Sequence, residues 1–308
     1  MKPRILVALS TFGEYGDEPV KLLEESGFAF ILNPLGRRLL KEEIIDLGRD
    51  CEGVIAGVEP YDDHVLDNMP NLRCISRVGV GTDNISIEKA KERGIEIRNT
   101  PDVVIQPVAE LTVAMIYDLL RRLSFHTMLL RSKRWEKSPG HLLAGKKVGI
   151  LGLGRIGKRV AEIMIKLDTE VYGADLFPNL QWAERVGIRI VSVDELIRLS
   201  DVLTLHLSLD KNNPFRLGRE EIRRMKKGSV LINTARGQII DEMALYGALR
   251  DKHLDGAALD VFPEEPYTGK LCELDNVVLT PHIATLTKES RAQMELEATL
   301  NLINFFKP

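Results

Sequence analysis

Three short apolar runs in the second half of the chain lead into groups that bind anions or move protons. VLINTA runs into Arg236, GAALDVF carries Asp260 and leads on to Glu265, and VVLTP runs into His282. A guanidinium offers a planar fork of donors that suits a carboxylate. An imidazole can serve as general acid and base near neutrality, and a carboxylate bonded to it fixes its tautomer and favours its protonated form. Each group alone has an ordinary reading, as a surface arginine, a solvated acidic turn or a structural histidine. Together they gather Arg, Glu and His beyond the carboxyl ends of strand-like runs, where open α/β sheets bind their ligands.

Upstream, GLGRIG supplies Gly152, Gly154 and Gly157 in the G-x-G-x-x-G spacing, between the apolar run VGIL and the helical pattern KRVAEIMIKL. In that strand–turn–helix context the glycines have separate tasks: a tight turn, approach of a pyrophosphate to the backbone, and close packing of helix on strand. The helix N-terminus adds unpaired N–H groups and a positive dipole end, both favourable to phosphate. The next strand-like run, TEVYGAD, ends in Asp175. Its carboxylate is placed to accept hydrogen bonds from ribose hydroxyls and to repel a 2′-phosphate, and Leu176 and Phe177 offer that phosphate no cation. The motif predicts NAD rather than NADP.

The elements that must hold these groups are β/α repeats. In the first third, RILVAL, FAFILN, GVIAG, RCIS and IEIRN alternate with helical patterns such as EPVKLLEES and LKEEIIDLGRD, which argues a parallel, doubly wound sheet. Pro107, suited to the N1 position, and Glu110, suited to the first turn, then open a long helix that reaches Leu120. A second series runs from KKVGILGLG to NVVLTPH, and the amphipathic stretch KESRAQMELEATLNLINFF closes the chain. The predicted fold class is α/β with two doubly wound parallel-sheet domains: residues 1–98, completed by 284–308, and residues 99–283, which carry the dinucleotide site.

At 308 residues the chain is too long for one ordinary core and suits two domains. A formal net charge of −3 leaves no electrostatic footprint for nucleic acid or an anionic membrane surface. Cys51, Cys74 and Cys272 lie far apart with no C-x-x-C, so neither a disulfide framework nor a metal site is predicted and a reduced, cytoplasmic compartment is expected. The first apolar run, RILVAL, is too short for a signal peptide or a membrane span.

GLGRIG, NTARGQIIDEMAL, GAALDVFPEEP and LTPHIA, in this order and spacing, resemble the D-isomer-specific 2-hydroxyacid dehydrogenase family. LRCISRVGVGTDNI and IEIRNTP resemble its N-terminal signature, and the phosphoglycerate-dehydrogenase-like branch is nearest. The resemblance implies a flavodoxin-like substrate domain, a Rossmann-type NAD domain, a cleft between them, and a homodimer. It implies oxidation of a D-2-hydroxy acid, or reduction of its 2-oxo acid, by hydride transfer at C2. His282 would move the hydroxyl proton, Glu265 would orient His282, and Arg236 would pair with the substrate carboxylate and polarise the C2 oxygen. The NAD contacts it implies are Gly152, Gly154, Arg155, Ile156 and Gly157 in the turn, then Asp175, Leu207, Thr234, Ala235 and Asp260. The backbone of Val78 and Gly79 would hold the carboxylate, with Arg77 a further substrate contact, and Gly237 would let the chain turn sharply behind Arg236.

Departures narrow the reading. Ser86, Ser208 and the stretch Asn213, Pro214 and Phe215 differ from the family's usual pattern, which puts a loop near the cofactor in question but none of the three catalytic positions. RSKRWEKSPG, basic and containing Trp135, reads as a solvated helix end, with a phosphate contact offered to a neighbouring subunit as the functional alternative. The substrate signal is divided. Arg77 could meet a distal phosphate, as in 3-phosphoglycerate or 3-phosphohydroxypyruvate, yet Gly57 stands where phosphoglycerate enzymes often present another Arg. A hydroxypyruvate or glyoxylate reductase is the alternative, and no regulatory domain of the kind found in long phosphoglycerate dehydrogenases is expected. From another class, the rival is an NAD(H)-sensing corepressor built on the same fold. A formate-dehydrogenase-like reading is disfavoured because an amide would be expected at Glu265.

Overall fold

The structure is a computed structural model and describes residues 2–208 and 215–307; Asn213 and Pro214 lie outside the described residues. The chain divides into two compact units, Met1–Val104 with Thr285–Pro308, and Ile105–Ala284.

In the first unit β1 (Arg4–Val7), β2 (Ala29–Leu32), β3 (Gly53–Ala56), β4 (Cys74–Arg77) and β5 (Glu96–Arg98) pair in parallel in the order β2-β1-β3-β4-β5. This is the flavodoxin-like order, with its switch point between β1 and β3. All four residues of β3 and three of the four in β4 are buried, which is why these segments read as continuous apolar runs rather than alternating ones. The loops after β3 and β4 therefore leave the same edge of the sheet side by side.

The helix Lys288–Phe306 completes this unit. Thr287 caps it by accepting the Ser290 N–H at 3.1 Å. Met294, Ala298 and Leu302, spaced four apart, lie on its buried face, and the Ser76 hydroxyl donates to Ala298 O at 2.7 Å. Glu295, fully buried, accepts from Arg291 Nη2 at 2.7 Å and from the Gly13 N–H at 2.9 Å. Burial pushes its carboxyl above the usual range, while these two donors oppose that rise.

The second unit opens with the helix Ile105–Arg121, which buries Val108, Thr112, Met115, Ile116 and Leu120. Pro107 is its third residue rather than its first, a position where the helix has no partner for an N–H in any case. β6 (Lys147–Leu151), β7 (Glu170–Ala174), β8 (Arg189–Ile190), β9 (Val202–Leu205), β10 (Val230–Asn233), β11 (Gly256–Leu259) and β12 (Val277–Leu279) form one parallel sheet. The order is β12-β11-β10-β9-β6-β7-β8, the Rossmann-type arrangement with its switch point between β6 and β9. Leu203, Leu205, Leu231 and Leu259 enter one core layer while Val148, Ile150, Val202 and Ile232 enter the other, as alternation along each strand requires. Among the described residues no helix is long and apolar enough to cross a membrane, and no group of His, Cys, Asp or Glu is placed to hold a metal ion.

Replacing Glu295 by Ala leaves Arg291 with a lost partner at a site where the guanidinium is only 15% exposed. Breaking a buried pair from one side costs about 3–5 kcal/mol. Chemical denaturation of the Glu295→Ala protein is expected to show a loss of that order; a loss under about 1 kcal/mol would mean that the pair does not hold the loop around Gly13.

Candidate active site

The glycine turn is built by contacts between backbones. Gly152 has φ +96°, and a Cβ there would stand 2.5 Å from His206 O. A Cβ at Gly157 would stand 1.9 Å from Gly152 O, so the helix Arg155–Lys166 can sit this close to β6 only with glycine at that position. Gly154, the helix N-cap, has open space where a side chain would project. An exposed helix N-terminus beneath that open space fits a pyrophosphate. Arg155 is exposed at the first helical position, whereas the Ile156 side chain packs into the core and leaves only its backbone for a ligand. Asp175 follows β7; its Oδ2 accepts the Leu153 N–H at 2.6 Å and its Oδ1 the Phe177 N–H at 2.9 Å. The carboxylate is thereby fixed against the turn, in reach of a ribose. Leu207 lies against Gly152 on the neighbouring loop.

Beyond the carboxyl ends of β10, β11 and β12, which are adjacent in the sheet, come Arg236, Glu265 and His282. Glu265 Oε1 accepts the Phe262 N–H at 3.1 Å, and its Oε2 faces His282 Nδ1 at 2.9 Å. Nδ1 with its proton is thus directed to the carboxylate, and Nε2 remains for a substrate. His282 has φ +55°, in the left-handed region that His tolerates better than most residues. What holds it there is Asp260, which is fully buried. Asp260 Oδ1 accepts from the Thr280 hydroxyl at 2.6 Å and the Ile283 N–H at 2.8 Å, and its Oδ2 from the Ala284 N–H at 2.9 Å. Burial raises its pKa, and these three donors oppose the rise.

Several expected contacts are arranged differently. Asp260, expected on the cofactor, spends its carboxylate on the segment that carries His282, and it has no exposed surface. Thr234, 7% exposed, turns its hydroxyl to Thr112 at 3.0 Å, and Ala235 N–H is taken by Asn233 Oδ1 at 3.0 Å. Gly237 does not adopt a left-handed turn. A Cβ there would stand 2.0 Å from the carbonyl carbon of Phe262, so this glycine serves a close approach of two backbones beneath the site. Arg236 is half-buried and one of its Nη1 protons goes to Ala235 O at 2.8 Å, which leaves the guanidinium plane positioned by the strand end. A further histidine, His206, stands at the end of β9, but burial pushes it down to about 3, so it stays neutral and cannot donate a second proton.

In the first unit the Val78 N–H extends the sheet by donating to Ala56 O at 2.8 Å, and the Gly79 N–H donates to Thr100 Oγ1 at 2.9 Å. Both amides thus have an acceptor within the unit. The next two amides, Val80 and Gly81, have no acceptor among the described residues. Arg77 Nη1 donates to Val78 O in its own loop.

The family model for the NAD-binding domain of D-isomer-specific 2-hydroxyacid dehydrogenases matches residues 113–284. The chain is 33% identical to a glyoxylate reductase of Korarchaeum cryptofilum over 274 residues, 86% of this chain and 82% of that protein. It is 37% identical to a D-3-phosphoglycerate dehydrogenase of Methanocaldococcus jannaschii over 279 residues, 89% of this chain but 53% of that protein. Among solved structures, the D-lactate dehydrogenase of Aquifex aeolicus, complexed with NAD and lactic acid, superposes with a TM-score of 0.84 at 27% identity, covering 99% of this chain and 95% of that one.

The methyl of a Gly157→Ala protein would meet Gly152 O at 1.9 Å and its carbonyl carbon at 3.0 Å, and neither backbone atom can retreat without opening the turn. Overpacking of this kind costs about 1–3 kcal/mol. The variant is expected to lose stability by that amount in denaturant and to bind NADH about tenfold more weakly in a fluorescence titration. Unchanged NADH affinity would detach the turn from the dinucleotide site.

Proposed function

The chain belongs to the D-isomer-specific 2-hydroxyacid dehydrogenase family, and on that premise we propose how its own residues share the reaction. The reaction class follows from the family: NAD-dependent interconversion of a D-2-hydroxy acid and its 2-oxo acid. When bound, the nicotinamide supplies the hydride acceptor and donor. The turn from Gly152 to Gly157 and the Asp175 carboxylate would hold the dinucleotide by its pyrophosphate and its ribose.

The single observation that carries the assignment of roles is the 2.9 Å contact between His282 Nδ1 and Glu265 Oε2. In the reductive direction His282 Nε2 delivers a proton to the C2 oxygen; in the oxidative direction it removes one. Glu265 keeps the ring oriented and stabilises its charged form. Arg236 pairs with the carboxylate of the acid and withdraws charge from the C2 oxygen, which lowers the cost of negative charge developing there.

Two further features complete the proposal. Leu130, Trp135 and Leu142 are 58%, 79% and 76% exposed. Large apolar side chains clustered in one stretch of chain favour a second copy as their cover, and a homodimer is proposed. Cys51, Cys74 and Cys272 are all free thiols, which supports a reducing, cytoplasmic setting.

Steady-state NADH oxidation with a panel of 2-oxo acids tests the reading. His282→Ala is expected to lower kcat about 100-fold or more through loss of general acid–base catalysis, with NADH affinity within about twofold of the parent. Tight NADH binding without turnover of any acid would favour the sensing role instead.

Arg236→Lys keeps the charge but loses the planar fork, so it is not conservative at a bidentate site. Loss of that contact should cost about 2–4 kcal/mol in kcat/KM, roughly 30- to 1,000-fold. Near-normal kcat/KM in this variant would return Arg236 to the status of a surface arginine.

A further inference from the structure

Glu265 stands at the exposed tip of a loop that folds back on itself. Phe262, where the loop sets out beyond β11, and Tyr267, where it returns, stack with ring centroids 4.1 Å apart and planes 15° apart. Between them run Pro263, Glu264, Glu265 and Pro266, and the two prolines fix φ on either side of the acidic pair. The stack closes the loop at its base. Phe262 is also the link to the proton-transfer pair, since its N–H donates to Glu265 Oε1 at 3.1 Å while Oε2 faces His282 Nδ1 at 2.9 Å.

The other end of the Tyr267 ring is pinned as well. Its hydroxyl donates to Glu242 Oε1 at 2.8 Å, in the first turn of the helix Glu242–Arg250, and accepts the Leu271 N–H at 3.2 Å. That helix is capped by Asp241, which accepts the Ala244 N–H at 3.0 Å. A Cβ at Gly269 would stand 2.4 Å from the Tyr267 hydroxyl oxygen and 2.5 Å from Cζ, so the returning chain passes the ring only because that residue is glycine. Burial pushes the Tyr267 phenol up and the bond to Glu242 pushes it further, while the Leu271 amide opposes both. The hydroxyl therefore remains a donor throughout the range in which a histidine titrates.

We propose that Tyr267 is a positioning residue for the reaction: stacked on Phe262 and bonded to Glu242, it holds the loop so that the Glu265 carboxylate stays aimed at His282 Nδ1. The inference rests on the reading that Glu265 and His282 are the working pair. A carboxylate at an exposed loop tip samples many orientations unless the loop is pinned, and a small drift forfeits much of a charge-assisted hydrogen bond. Asp260, which also acts on the imidazole through space, is held separately by Thr280, Ile283 and Ala284. Loosening Tyr267 thus weakens the support that Glu265 gives to the charged ring and leaves the glycine turn as it is.

Titration of the His282 ring by proton–nitrogen NMR reads this effect without any substrate, the signal being assigned among the six histidines of the chain by its loss in His282→Ala. A weaker carboxylate contact makes the imidazolium less favoured, so the proton leaves at lower pH. Tyr267→Ala is expected to lower the midpoint by about half a pH unit, Tyr267→Phe, which keeps the stack and loses the hydroxyl, by less than that, and Glu265→Gln by more than either. NADH affinity should stay within about twofold in each variant, which shows that the second unit is folded. An unmoved midpoint in Tyr267→Ala, where Glu265→Gln does move it, overturns the proposal. An unmoved midpoint in Glu265→Gln sinks the pair itself, and the role of Tyr267 with it. If Tyr267→Ala does not fold, Gly269→Ala decides: its methyl forces the ring off Glu242, so a lowered midpoint supports the proposal and an unmoved one overturns it.

Discussion

The Asp260 carboxylate is the interaction on which the catalytic end of the second unit depends. It sits at the end of β11 with no exposed surface and gathers the Thr280 hydroxyl and the amides of Ile283 and Ala284. Those donors bracket His282, whose left-handed backbone would not be the local minimum for an unconstrained chain. The imidazole is therefore presented to Glu265 by an anchor on both sides of it in sequence. Glu265 is itself fixed through Phe262 N–H, only two residues after Asp260. Two carboxylates on one loop thus do different work: the buried one sets the backbone, and the partly exposed one sets the ring.

Close backbone packing supplies the second constraint. Gly157 against Gly152 O brings a helix N-terminus to the end of β6, and Gly237 against Phe262 brings the Arg236 loop onto the loop after β11. Both contacts lie at the carboxyl edge of the same parallel sheet, at or beyond its switch point. Side chains at either glycine would move the functional groups outward by an ångström or more, a displacement that matters when catalysis depends on positioning.

The two parallel-sheet α/β domains were legible in the sequence because strands and turns depend on local signals. Continuous apolar runs mark parallel strands, and GLGRIG in its strand–turn–helix setting marks the turn. The role of Gly237 was not legible, since its requirement comes from residues 262 and 263, remote in sequence. Nor were the acceptors of the first amides in RVGVG. Whether Val78 and Gly79 are free depends on the register of β4 on β3 and on the Thr100 hydroxyl, and both are tertiary facts. For Asp260 the sequence shows a place at a strand end, while its burial and its three donors are again tertiary facts.

Glu59 escaped the sequence reading for a related reason: an acid in the loop GVEPYDD is indistinguishable from a solvated turn until its surroundings are known. The three buried carboxylates are then separated by the donors each one finds. Glu295 has a guanidinium and an amide, and Asp260 has one hydroxyl and two amides, so the field of each is largely absorbed locally. Glu59 has one amide, an unpartnered phenol below it, and a glycine where a competing side chain could have stood. The charge that answers Glu59 comes through space instead: Arg77 acts on the same buried Tyr61 phenol and opposes the effect of the carboxylate there.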